Sequence, residues 1–148
     1  MKPLAVGAWV FVWAVGAAAI RQDTPRTAWD GVYTKEQAER GSVTYRRACR
    51  KCHYADLRGD EFGGGTPGEV APGLVDAAFF SRWNELTLGD LFLAILRSMP
   101  NDRPGTLKPN ETADVLTYIL KRNAFPAGDV ELTTEFAQLK RILITEEE

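Results

Sequence analysis

Histidine, cysteine and methionine are all scarce in this 148-residue chain, which has one histidine, two cysteines and two methionines, the first of them Met1. A structural zinc site needs four ligands, and Cys49, Cys52 and His53 are the only Cys and His side chains on offer. A carboxylate would have to complete the set. Basic excess is missing too. Eighteen Lys and Arg against 20 Asp and Glu leave a net charge of −2, which argues against a nucleic-acid partner because phosphates would go unneutralised. No strand-rich pattern surrounds Cys49, so a thioredoxin-like dithiol lacks its βαβ setting. The glycine-rich stretch from Gly59 to Gly73 has no lysine and no strand-to-helix frame, which makes a phosphate cradle a poor fit. What remains is 45% hydrophobic and 26% charged, an ordinary globular composition for one domain.

Against that sparse background, Cys49-Arg50-Lys51-Cys52-His53 stands out. Two thiols three positions apart, followed at once by histidine, fit covalent attachment of one c-type haem. Each thiol would bond one vinyl group, and a single helical turn between the cysteines matches the separation of the vinyls. His53 would be the proximal iron ligand, with its second ring nitrogen seeking an acceptor. A plain Cys49–Cys52 disulfide is chemically allowed in an exported protein but leaves His53 without a role.

Residues 1–19 read as a signal peptide: Lys2 precedes the apolar run Leu4–Ala19, and Ala17-Ala18-Ala19 resembles a small-residue cleavage site. Export and c-type haem attachment belong to the same bacterial compartment, so a periplasmic location is expected. The competing reading is a membrane anchor over residues 4–20; about 16 apolar residues fall short of the roughly 20 that span a bilayer.

Residues 20–32 read as a polar linker, in which Trp29, with Tyr33 just beyond, either straps the domain or stays partly exposed. Thr34 and Gln37 form a capping-box pattern for a helix from Lys35 to about Cys49, with Ala38, Gly41, Tyr45 and Ala48 on its apolar face. A mid-helix glycine costs roughly 1 kcal/mol against alanine, so Gly41 predicts a close helix crossing. Pro72 keeps a carbonyl that is a candidate acceptor for His53; an ordinary turn proline is the alternative. Asp76–Trp83 reads as a short helix whose Phe79, Phe80 and Trp83 suit the wall of a flat apolar ring. Trp83 either donates its indole N–H to a haem propionate or is ordinary core.

Thr87 and Asp90 open the next helix, and Leu88, Leu91, Phe92, Ile95 and Leu96 follow the spacing of a buried face. Pro100 discourages its continuation, leaving Met99 on a loop. With one histidine, bis-histidine ligation is impossible, and Met99 is the only methionine once the signal is removed. Met99 is therefore the candidate distal ligand. Methionine–histidine ligation favours the reduced state and fits electron transfer. A core Met99 would instead leave the iron open for an enzyme or gas sensor. Pro109–Arg122 predicts a further helix, and Thr134–Ile144 an amphipathic one that packs on the domain or docks on a partner.

Taken in order, Gly41 and Tyr45, the cysteine–histidine motif, Pro72-Gly73-Leu74, Met99-Pro100 and Tyr118 resemble a class I cytochrome c over roughly Tyr33–Arg122. The resemblance implies an all-α cytochrome c fold, with N- and C-terminal helices crossing near Gly41 and Tyr118 around one covalent haem. It divides the chain into a cytochrome domain at 33–123 and an extension at 124–148. Asp76 departs from it, standing where a glycine is expected. The runs at 29–34 and 123–128 resemble bacterial mono-haem cytochromes that occur alone or serve quinoprotein dehydrogenases. The implied function is a one-electron carrier between exported redox proteins and not an enzyme; a tightly bound dehydrogenase or oxidase subunit is the alternative. Because the haem edge near the thioethers is usually exposed in this family, Arg46, Arg47, Arg50, Lys51 and Arg58 either steer an acidic partner or form a solvated face.

Overall fold

The computed structural model describes residues 26–60 and 71–147. The signal segment at 1–19, the first part of the linker and the glycine run Gly63–Gly65 lie outside the described residues. The described chain is mostly helical: α1 (Lys35–Ala48), α2 (Arg50–His53), α3 (Asp76–Trp83), α4 (Leu88–Ser98), α5 (Pro109–Arg122) and α6 (Phe136–Leu139). Two short strands, β1 (Arg26–Thr27) and β2 (Ile142–Leu143), pair in parallel, a small departure from the expected all-α arrangement.

Gly41 is where α1 and α5 cross. A Cβ built there would sit 1.8 Å from the Asp114 carbonyl oxygen and 3.0 Å from Tyr118 Cβ, so only glycine lets the two backbones approach this closely. One side of the crossing is sealed by the Tyr45 and Tyr118 rings, whose centroids lie 5.2 Å apart. On the other, Arg40 donates twice to Asp114, and Lys121 pairs with Glu39. Such exposed pairs are worth at most about 1 kcal/mol each; the buried residues Ala38, Ala113, Leu116 and Leu120 contribute more.

The cap of α4 is as expected. Thr87 Oγ1 accepts from the Asp90 N–H, and an Asp90 carboxylate oxygen accepts in return from the Thr87 N–H at 3.0 Å. Lys108 offers no side-chain acceptor at the start of α5, so Pro109 removes one orphan donor and Glu111 accepts from the Lys108 N–H. Leu88, Leu91, Phe92 and Ile95 are buried, and Leu96 is half-buried.

Two expectations for the terminal segments need correction, and one left open is decided. Gln37 does not complete a capping box. Thr34 caps α1, but the Gln37 carboxamide bonds both backbone groups of Leu132, donating to its carbonyl at 3.0 Å and accepting from its N–H at 2.7 Å. Of the two readings open for Trp29 and Tyr33, the contacts match the strap. Trp29 packs 4.4 Å from Phe125 and donates its indole N–H to the Thr145 carbonyl, while the Tyr33 hydroxyl donates to the Phe125 carbonyl. Gly31 and Gly128 pass so closely that a Cβ on Gly128 would lie 2.1 Å from the Gly31 oxygen.

The helix expected at 134–144 shrinks to α6 followed by β2. Of the residues at helical spacing, Leu139 and Ile142 are buried, but Leu143 is half-buried, Phe136 is exposed, and the chain is extended beyond Arg141, where Ile144 is buried instead. Ile142 and Leu143 lie beside β1, and Ile144 exchanges backbone bonds with Glu85 and Leu86 at 2.8 Å each. A helix would have spent those groups on itself; extended backbone reaches partners on both sides and suits β-branched isoleucine. This end of the chain packs on the domain.

Candidate functional site

α1 leads directly into the Cys49–His53 motif. Its last backbone bond runs from the Cys49 N–H to the Tyr45 carbonyl, and α2 then makes one tight turn in which Cys52 and His53 both donate to the Cys49 carbonyl, at 3.1 and 3.0 Å. Tyr54 ends the turn in the left-handed region, φ +59°, and its carbonyl accepts from the Tyr45 hydroxyl. Thus the residue that closes the α1–α5 crossing also closes the motif.

Both thiols are free, so the disulfide alternative is not realised. Cys52 is exposed and Cys49 half-buried. Burial pushes the Cys49 thiol up to about 11, with the neighbouring Cys52 adding to the shift and Arg47 opposing it. A redox-active dithiol needs a depressed pKa; Cys49 shows the reverse. Among the described residues no group of three or more His, Cys, Asp or Glu side chains is arranged to hold a metal ion.

His53 is buried, and its Nδ1–H donates to the Pro72 carbonyl at 2.9 Å. A carbonyl only accepts, so the contact fixes the proton on Nδ1 and leaves Nε2 bare. Burial lowers the His53 pKa, while the bond to Pro72 works the other way. The result is a neutral imidazole held by one nitrogen, with the other ready to coordinate.

The acceptor is itself firmly held. Asp60 donates to the Ala71 carbonyl at 3.0 Å, and Leu74 donates to the Leu57 carbonyl at 2.7 Å. Gly59, at φ +54°, lets Ala71 approach, since a Cβ there would lie 2.2 Å from the Ala71 oxygen. Asp76 explains its own departure from the expected glycine: its φ is +56°. That left-handed position suits glycine, and aspartate is among the few other residues that tolerate it. Its N–H donates to Asn123 Oδ1 at 3.0 Å, and its carboxylate pairs with Arg58. Asn123 was not legible as part of the site, because in the sequence it marks only the end of α5.

Met99 caps α4 in extended conformation, with its N–H on the Ile95 carbonyl. It is half-buried and packs against the core, as do Cys49, Leu74, Phe80, Trp83 and Leu96. No hydrogen bond or ring contact among the described residues ties Met99 or Trp83 to His53. The Trp83 indole nitrogen is buried without a hydrogen-bond partner; among the described residues only the Thr112 hydroxyl shares that condition. A buried indole N–H left unmet costs about 1–3 kcal/mol. The ordinary-core reading leaves this donor unexplained, whereas a bound carboxylate accounts for it. On this observation the residues present fit a haem.

The basic cluster is only partly available. Arg47 pairs with Glu111 at 2.6 Å and Arg58 with Asp76 at 3.0 Å. Arg50 and Lys51 are exposed and have no ion pair among the described residues. No described helix is long and apolar enough to cross a membrane.

No curated protein and no solved structure matches the chain. The model of one family, described as cytochrome C oxidase, cbb3-type, subunit III, matches residues 36–119, more than half of the sequence. The match begins in the first turn of α1 and ends in the last turn of α5, enclosing the cysteine–histidine turn, the Pro72 loop and Met99. With that match, the chain belongs to the cbb3-type cytochrome c oxidase subunit III family, a family of c-type cytochrome domains, for which haem c is the implied cofactor.

Proposed function

We propose that the protein is an exported mono-haem cytochrome c that passes one electron at a time between redox proteins. Cys49 and Cys52 would hold haem c through thioethers, His53 Nε2 and Met99 Sδ would ligate its iron, and the Trp83 N–H would meet a propionate. Bound there, the group supplies a ferric–ferrous couple. The observation that carries this reading is the Nδ1–H bond from His53 to the Pro72 carbonyl, which orients the ring and frees a single nitrogen. The half-buried Phe80, Leu96 and Met99, which pack against the hydrophobic core, are the apolar side chains proposed to face the ring. Residues 1–19 serve as the export signal, 33–123 as the cytochrome domain and 124–148 as an extension that closes over it.

Absorption spectra of protein exported from a host with c-haem maturation machinery test the assignment. The expected result is covalently retained haem, a low-spin reduced spectrum and a weak far-red methionine–iron band. Haem that is high-spin and shifts on adding carbon monoxide would replace the carrier with a ligand-binding protein. Absence of haem would sink the reading of Cys49–His53.

The partner is an acidic protein that docks beside the attachment turn; Arg50 and Lys51, within the turn, steer it together with Arg46, which is exposed and, among the described residues, donates only to the Ser42 hydroxyl. Reversing both (Arg50→Glu with Lys51→Glu) should slow reduction by the natural donor by about tenfold at low salt, with the difference vanishing as ionic strength rises. Stopped-flow reduction reads this directly, and an unchanged low-salt rate removes the docking role. A second reading, a permanent oxidase subunit, is favoured by the family description; co-purification at fixed stoichiometry with an oxidase would establish it.

A further inference from the structure

We propose that Asn123, at the C-terminal end of α5, is a positioning residue for His53, acting through the backbone of the 72–76 loop. The inference rests on His53 being the iron ligand. Asn123 is buried, and its carboxamide makes three bonds: Nδ2 donates to the Leu74 and Ile119 carbonyls, at 2.9 Å each, and Oδ1 accepts from the Asp76 N–H at 3.0 Å. Two acceptors on one side and a donor on the other fix the orientation of the amide without ambiguity.

The consequences follow along the chain. Leu74 and Asp76 bracket the turn that follows Pro72; residues 71–74 belong to no helix or strand among the described residues, and Val75 only caps α3, its carbonyl accepting from the Phe79 N–H. Asp76 is held in a left-handed conformation, φ +56°, that is unfavourable for a residue with a Cβ. Asn123 offsets that cost by bonding the strained N–H, and it grips Leu74 two residues earlier. Leu74 in turn donates to Leu57, four residues beyond His53. Asn123 therefore fixes the far end of a short loop whose near end carries the acceptor for the His53 ring. Carboxamide chemistry is required, because a carboxylate cannot donate to Leu74 and an aliphatic side chain can do neither.

If the grip is lost, the Pro72 carbonyl drifts and the Nδ1–H bond lengthens. A weaker bond makes the imidazole a poorer electron donor, so the ferric state loses stabilisation and the potential rises. The experiment compares haem-loaded Asn123→Ala with Tyr33→Phe, which removes a buried hydrogen bond from the strap at Phe125 instead. Two quantities are read: hydrogen–deuterium exchange of the His53 Nδ1–H by NMR in the reduced state, and the redox equilibrium against a reference couple.

Asn123→Ala should speed exchange by about tenfold and shift the equilibrium about threefold or more toward the reduced form, roughly 30 mV at 59 mV per decade. Tyr33→Phe should move neither. Should Asn123→Ala fail to accumulate, Asn123→Ser keeps an acceptor for Asp76 and should show the same shifts, reduced in size. Unchanged exchange, or equal changes in the Tyr33 variant, overturns the positioning role. Faster exchange with a fixed potential would keep the positioning role and overturn His53 as iron ligand.

Discussion

Gly41→Ala should lower stability by about 3 kcal/mol or more, near the upper end of overpacking costs. The added methyl would lie 1.8 Å from the Asp114 carbonyl oxygen and 2.5 Å from its carbon, and both are main-chain atoms. A flexible side chain could swing aside; a helix backbone cannot. Asp114 is further tied by its carbonyl, which accepts from the Thr117 hydroxyl at 2.7 Å. Relief therefore requires α1 and α5 to separate along their whole contact, loosening Ala38, Tyr45 and Leu116 together. Because α1 runs directly into Cys49, the same separation moves the attachment turn. Urea unfolding of the haem-loaded protein gives the number, and the yield of attached haem gives the local effect. A loss below about 1 kcal/mol would show that the crossing relaxes more easily than close packing allows.

Met99→Leu should leave the fold nearly intact and change the chemistry. The volumes match, Met99 is only half-buried, and a swap of this kind costs less than about 1.5 kcal/mol. What disappears is the thioether. With no second histidine and no other methionine beyond Met1, the chain has no like donor to take its place. The far-red band should vanish, the midpoint potential should fall, and carbon monoxide binding should go from undetectable to stoichiometric. Absorption spectra with and without carbon monoxide decide it. A variant that keeps its spectrum and still excludes carbon monoxide would return Met99 to the core and reopen the identity of the distal ligand. Leucine serves better than alanine here, since a cavity beside the iron would itself admit small ligands.

Much of the fold was legible because its causes are local. The bounds of α4 and α5 follow from caps, prolines and apolar spacing that act within a turn or two: Thr87 with Asp90, Pro109 at the first position of α5, Pro100 after Met99. The attachment turn is equally local, and the Pro72 acceptor was readable because a buried imidazole must spend its second nitrogen somewhere. Gly41 was readable by contradiction, as a glycine too costly to keep without a crossing helix.

Tertiary structure decided what depends on partners far along the chain. Gln37 had a sound local use as a capping residue, yet its carboxamide bonds Leu132, 95 positions away. Phe136, Leu139, Ile142 and Leu143 had helical spacing, but β1 and the Glu85–Leu86 turn offered the backbone partners that an extended chain could reach. Asp76 looked like a departure from the expected glycine until its left-handed backbone and the Asn123 amide were in view. The unmet Trp83 N–H likewise emerges only once burial is known. The sequence alone determined where helices start and stop and which residues offer ligand chemistry, because caps, periodicity and donor atoms act over one to two turns. Which buried polar group meets which was left to the fold, because hydrogen bonds are satisfied by proximity in space, and proximity across 47 to 116 residues is set by packing.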